Sequence, residues 1–234
     1  MAKKIYVSPS SQTENKYLVG DTNEAVQCRK IAVKLVDALK RCGFEAMTNT
    51  TGDMYARTTE SNKWGADLHL PIHTNAYNKK VAGTRIYCHD TVGEGYKASK
   101  AIMATLKPLT PGTSDSINAR DNLYEINKAK APVAYIEVAF HDHEVEAPWI
   151  IENTEAIAEA ICKGVCNHYG VKYVESDEES APDSTPTPAP VPAPEKEYIY
   201  RVQVGAYSKR SGAETMLAKL REAGFGGIIV KGEM

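Results

Sequence analysis

From Pro186 to Pro194 every second residue is proline, and this alternation limits what the chain can fold into more than any other feature. Proline has no backbone N–H to give to a helix or a sheet and holds φ at about −65°. Such a segment stays extended and builds no core. The stretch before it, from Glu175 onward, is rich in aspartate and glutamate. Residues 173–197 therefore read as an acidic and then Pro/Ala-rich linker, a semi-rigid spacer. It divides a large domain over residues 1–172 from a small unit over residues 198–234.

Charge and cysteine usage narrow the classes further. Lysine and arginine number 28 against 30 aspartates and glutamates, a formal net charge of −2. That balance offers no basic field for a phosphate backbone, so nucleic acid is not an expected partner. No apolar run is long enough to span a bilayer. Met1-Ala2-Lys3-Lys4 leads straight into a strand-like segment without the apolar stretch of a signal peptide, so the expectation is a chain made in the cytoplasm without an ordinary export signal. The five cysteines, Cys28, Cys42, Cys88, Cys162 and Cys166, are odd in number and fall in or beside apolar-periodic elements. They read as reduced thiols rather than as a disulfide framework. Cys162 and Cys166 are four apart on a predicted helix, a spacing able to clasp a metal. They also continue the repeat Ile157, Ile161, Val165, and core packing is the reading adopted.

Ile5-Tyr6-Val7 is a buried strand that stops at the polar turn Ser8-Pro9-Ser10-Ser11. Asn23 is placed to cap a helix whose apolar positions Cys28, Ile31, Ala32, Leu35, Val36 and Leu39 follow helical spacing, with Gly43 beyond its end. Further strands are expected at Phe44 to Thr48, Asp67 to Ile72, Thr84 to Cys88 and Val133 to Val138, with helices at Tyr55 to Trp64, Gly95 to Leu106 and Thr154 to Tyr169. Alternation of this kind implies an α/β domain with a mostly parallel sheet and helices on both faces. Tyr198 to Met234 holds one β-α-β unit, too small to cover its own sheet. It should dock, self-associate or remain marginal.

Three side chains stand where strands or helices end, the usual place for sites in open α/β sheets. They are Glu24, His73 and Glu137. His73 follows the strand Leu68-His69-Leu70-Pro71-Ile72. Glu137 interrupts the apolar run Val133 to Phe140, and a buried carboxylate there is costly unless something pairs with it. Taken singly, Glu137 also reads as one half of an ion pair and His73 as a satisfied strand-end histidine.

The segment Ala66-Asp67-Leu68-His69-Leu70-Pro71-Ile72-His73-Thr74-Asn75-Ala76 resembles the signature of zinc-dependent N-acetylmuramoyl-L-alanine amidases of the amidase-3 type, whose strand ends in Ile-His-x-Asn-Ala with a zinc-binding histidine. Asn23-Glu24 resembles the position of the family's glutamate ligand, and Ala134 to Phe140 the strand that presents its catalytic glutamate. Arg57 with Asn62, Gly83-Thr84 and Asn122-Leu123-Tyr124 add to the likeness. The resemblance implies a peptidoglycan hydrolase with Zn2+ held by Glu24 and His73, Glu137 as catalytic base, and Asn75 and Arg57 as substrate contacts.

One departure stands out. The family's first strand ends in Gly-His-Gly-Gly, whose histidine is the first zinc ligand, whereas this strand ends in Ser8-Pro9-Ser10-Ser11-Gln12. A hydroxyl or neutral amide at Ser11 or Gln12 is a poor zinc ligand. His141, in Phe140-His141-Asp142-His143, is the candidate replacement, with Glu14 as a second. His69 shares strand parity with His73 and reads equally as a supporting residue or a packed core histidine. His89 and His168 are assigned no role.

Tyr200 to Ser208 resembles the opening strand of a SPOR domain, with Ala223-Gly224-Phe225 following its helix, and only the first half of that domain is matched. The likeness implies glycan-strand binding, with Gln203 and Tyr207 as candidate contacts. The leading expectation is thus an autolysin or endolysin cutting the amide between muramic acid and L-alanine, reaching the wall through a pore or lysis. The alternatives are a catalytically weak or inactive amidase-fold protein that binds peptidoglycan, and an amidohydrolase acting on another small amide.

Overall fold

In the computed structural model residues 2–176 are described, together with residues 213–217 and 219 of the tail. The chain divides into two units, Met1–Ala181 and Pro182–Met234. In the second, residues 213–217 are helical. The linker prolines, Gln203, Tyr207 and the expected self-association of the tail lie outside the described residues.

The first unit runs β1 (Lys4–Pro9), α1 (Glu24–Arg41), β2 (Glu45–Thr48), α2 (Met54–Trp64), β3 (Leu68–Asn75), β4 (Arg85–Cys88), α3 (Glu94–Leu106), β5 (Ser116–Ala119), α4 (Tyr124–Lys128), β6 (Tyr135–Phe140), α5 (Glu146–Glu152) and α6 (Thr154–Tyr169). The strands form one sheet in the order β2-β1-β3-β6-β4-β5. It is the mostly parallel α/β sheet expected, with β4 antiparallel to β6 alone. β5, α4 and α5 carry too few residues for their periodicity to be read in advance. β3 runs on to Asn75, so His73 lies inside the strand rather than after it.

Strand parity sorts the side chains. Ile5 and Val7 of β1, Leu68, Leu70 and Ile72 of β3, and Ile136 and Val138 of β6 pack with α1, α3 and α6 in one continuous core. Each such burial stabilises the fold by roughly 1.5–3 kcal/mol. The alternate residues Tyr6, Ser8, His69, His73, Tyr135 and Glu137 share the opposite face, where α2 and α4 pack against each other. α1 turns off cleanly because Gly43 takes φ +88° just past its end, a conformation only glycine adopts freely.

Candidate functional site

Construction of the site begins with the cap of α1. The Asn23 side chain accepts from the Val26 N–H at 3.0 Å, and the carbonyls of Asn15 and Gln12 accept from the N–H groups of Glu24 and Ala25. The free donors of the first helical turn are thereby satisfied by the loop that leaves β1. Glu24, buried in that first turn, is carried to the ends of β1 and β3. Its Oε1 lies 2.8 Å from His73 Nδ1, and its Oε2 accepts from Asn15 Nδ2 at 2.6 Å. Burial alone would raise the Glu24 carboxyl, but His73, Asn15 and Ser10 hold it below its usual range.

His73 and Glu137 are register partners on neighbouring parallel strands, so their side chains stand side by side on one face. The His73 ring stacks on Tyr135, centroids 4.5 Å apart. On its far side Glu125 Oε2 lies 3.8 Å from Nε2. Burial disfavours the charged imidazole, yet Glu125 and Glu24 outweigh it and push His73 up to about 10. Glu137 has no such company. Its Oε2 is buried without a hydrogen-bond partner, and burial pushes its carboxyl up to about 7.

Glu125 is a residue that sequence reasoning missed. It is buried and accepts from Ser8 Oγ at 2.5 Å, while its Oε1 lies 3.2 Å from His69 Nε2. His69 Nδ1 lies 2.9 Å from Ser61 Oγ, and its ring stacks on Tyr6. His69, for which two readings stood open, therefore belongs to a polar chain running behind His73. Burial would raise Glu125, but the two histidines bring it down to about 2. The signal for Glu125 was faint, because a five-residue helix shows no face. Only its place directly after Asn122-Leu123-Tyr124 hinted at it.

Gln12 stands at the place that the family likeness assigns to a histidine. Its amide nitrogen lies 3.4 Å from His73 Nδ1, and its Oε1 accepts from Asn15 Nδ2 at 2.8 Å. The direction of this chain is forced. Glu24 can only accept, so Asn15 donates to it and to the Gln12 oxygen, and the Gln12 nitrogen is left beside His73, whose Nδ1 gives its own proton to the nearer Glu24. A carboxylate, an imidazole and an orphaned Glu137 oxygen thus lie together, side chains of the types that a zinc-type cation accepts.

Two expected site residues are corrected by their surroundings. His141 does not join Glu24 and His73: among the described residues, the cysteines Cys42, Cys162 and Cys166 alone bring three metal-competent side chains within 4.8 Å of one another. The cause is a register shift between β3 and β6, where His73 pairs with Glu137 but Asn75 pairs with Phe140. One extra residue on β6 reverses the parity of everything after it. His141 is turned to Thr74, its Nδ1 3.1 Å from the Thr74 carbonyl, and it stacks on Tyr17. Arg57, expected to touch substrate, is buried. It donates to the carbonyls of Pro9 and Asn49 and braces the end of β1. Glu14 is exposed, and Asn75 sits half-buried at the rim with its side chain on Ala76 N–H.

Comparison with known proteins adds a family context. Residues 10–167 match the family described as N-acetylmuramoyl-L-alanine amidase, and residues 196–233 match the SPOR domain. The sporulation-specific N-acetylmuramoyl-L-alanine amidase of Bacillus subtilis (strain 168) is 22% identical, with 97% of this chain and 84% of that protein aligned. An uncharacterized 38.4 kDa protein of Clostridium perfringens is 26% identical over 136 residues, 54% of this chain and 40% of its own length, so this chain spans less than half of that relative. Among solved structures, the catalytic domain of CwlV from Bacillus (Paenibacillus) polymyxa var. colistinus superposes with a TM-score of 0.65 at 16% identity, covering 73% of this chain and 99% of that one. AmiC2 of Nostoc punctiforme gives a TM-score of 0.64 at 17% identity, covering 72% and 97%. At such identities the structural likeness speaks for the fold.

Proposed function

The chain belongs to the N-acetylmuramoyl-L-alanine amidase family, and from that premise we propose that residues 1–172 hydrolyse the amide between N-acetylmuramic acid and L-alanine in peptidoglycan. The observation that carries this reading is the pairing of His73 with Glu137 in register, with a buried and unpartnered Glu137 oxygen beside the Glu24–His73 pair. The family is generally zinc-dependent, and Glu24 with His73 would hold the ion here. When bound, such an ion polarises the scissile carbonyl and acidifies water.

The chain's own residues do the rest. Glu137, raised toward neutrality by burial, is suited to take a proton from the attacking water and return it to the departing L-alanine amine. Tyr135 fixes the plane of the His73 ring. Glu125, backed by His69 and Ser8, favours a proton on Nε2, so that Nδ1, which without an ion gives its proton to Glu24, would be the nitrogen free to turn to the ion, the arrangement that partners behind metal-bound histidines maintain. Asn15 clamps Glu24. Asn75, at the rim, is proposed to contact the glycan or stem peptide. The tail, with Gln203 and Tyr207, is proposed to hold glycan strands while the linker lets it search the wall.

Gln12 favours a second reading, a protein that kept a peptidoglycan groove and lost the ion. Two protein ligands are one short of the three usual in catalytic zinc sites. Digestion of purified sacculi decides between the two. Hydrolysis predicts new L-alanine amino termini from the wild-type chain and none from Glu137→Gln. Absence of such termini from the wild type, with zinc supplied, overturns the hydrolase reading and leaves the binding one.

A further inference from the structure

Away from the strand ends, three of the five cysteines meet between helices. Cys42, the residue that caps α1, comes within 3.7 Å of Cys162, sulfur to sulfur. Cys166, one turn along α6, completes a group whose sulfurs all lie within 4.8 Å of one another. All three are buried. The spacing on α6 was read from sequence as core packing, and that reading had no means of seeing a third thiol arriving from a position 120 residues away.

The geometry points to a site for a soft thiophilic cation of the zinc class at Cys42, Cys162 and Cys166. Sulfurs bonded at about 2.3 Å to a tetrahedral ion stand about 3.8 Å apart, close to the separation of Cys42 and Cys162 in the absence of any ion. Packing alone would be served by any small apolar side chain at these positions, whereas convergence of three thiols from two helices supplies a ligand set. The surroundings suit thiolates as well. The Val174 N–H donates to Cys42 Sγ at 3.3 Å, and residues 171–174 are held over the group by the Arg41 guanidinium, which donates to the Val174 carbonyl at 2.9 Å. Arg41 also pairs with Glu159, and its charge acts on Cys166 to favour the thiolate. Three thiolates and a divalent ion carry a single net negative charge, and the Arg41–Glu159 pair beside it presents its guanidinium end to Val174 over the group. Each thiol must lose its proton to become a ligand, and burial raises the Cys162 and Cys166 thiols, so uptake releases protons.

Cadmium is the probe, since its charge-transfer absorption with thiolate reports sulfur ligation and is silent toward Glu24 and His73. The full chain, reduced and stripped of metal, is titrated with Cd(II). The proposal expects a band that saturates at one equivalent, proton release in unbuffered solution and a higher melting temperature. It expects the band to persist in His73→Ala and to weaken in Cys162→Ser, with affinity falling by more than the 10–100-fold that loss of a ligand's hydrogen-bonding partner costs. If Cys162→Ser loses the wild-type circular dichroism, Cys42→Ser at the helix cap takes its place. A band that never forms, one that forms only as the circular dichroism collapses, or one unchanged in both serine variants overturns the proposal.

Discussion

The two faces of the sheet are made by the same strands, residue alternating with residue, yet they obey different rules. On the α1, α3 and α6 side Leu68, Leu70, Ile72, Ile136 and Val138 are interchangeable in kind, and any apolar side chain of the right volume would serve. On the other side Ser8, His69, His73, Glu125 and Glu137 are each specified by a neighbour's donor or acceptor, and Glu137 is left short of one. From Tyr135 to Val138, β6 therefore carries stability on its even positions and chemistry on its odd ones. Substitutions one residue apart should fail in opposite ways.

Glu137→Gln gives the largest expected effect. It should lower amide cleavage by about 10²–10⁴-fold, the range for a positioned general base, while the melting temperature stays at or above wild type because a buried unpaired carboxylate is removed. Measurement of initial rates beside thermal unfolding checks both halves. Its neighbour Ile136→Ala should do the reverse, with about 2–5 kcal/mol lost from unfolding and the rate per folded molecule retained. A comparable rate loss in Ile136→Ala would break the division between faces. Glu125→Gln comes next: it should weaken zinc binding at Glu24 and His73 by about 10–100-fold, read by isothermal titration in a Cys162→Ser background that removes the thiol group as a competing site.

The smallest effect is in pH. Glu125 is held down to about 2 from an ordinary 4.5, so its stabilising contribution is whole above pH 4.5 and is lost as the pH falls toward 2. Glu137 has the opposite sign. Raised to about 7 from the same 4.5, it favours the folded state as it takes up a proton on acidification from 7 to 4.5. Urea midpoints taken stepwise over this span should therefore rise slightly and then fall, and Glu125→Gln should blunt the fall.

How much of this was legible beforehand depended on how far each signal reached along the chain. The core strands and the long helices announced themselves by period, and Glu137 by being an ionisable residue in an apolar run. His73 was found by its motif. His141 misled because it was chosen for standing just after Phe140 at the end of the Glu137 strand, and the extra residue on β6 that turns it away leaves no mark in composition. Arg57 misled for another reason: α2 is short and its buried face is built of Arg57, Thr58 and Ser61, so burial of a guanidinium under the end of β1 could not be told from exposure. Glu125 and Cys42 became visible only when segments distant in sequence were brought together.

The loop from Ser10 to Asn15 has a consequence of a different sort. It supplies Gln12 and Asn15 to the site but adds nothing to the apolar core, being tied to the rest by carbonyls that cap α1. Such a loop is an exchangeable cassette: its side chains can change while its backbone bonds, and hence the fold, stay as they are. Gln12→His should then be accepted without loss of stability and should tighten zinc binding. The affinity of the centre would be set by a surface loop that selection can retune cheaply, on a scaffold that need not change.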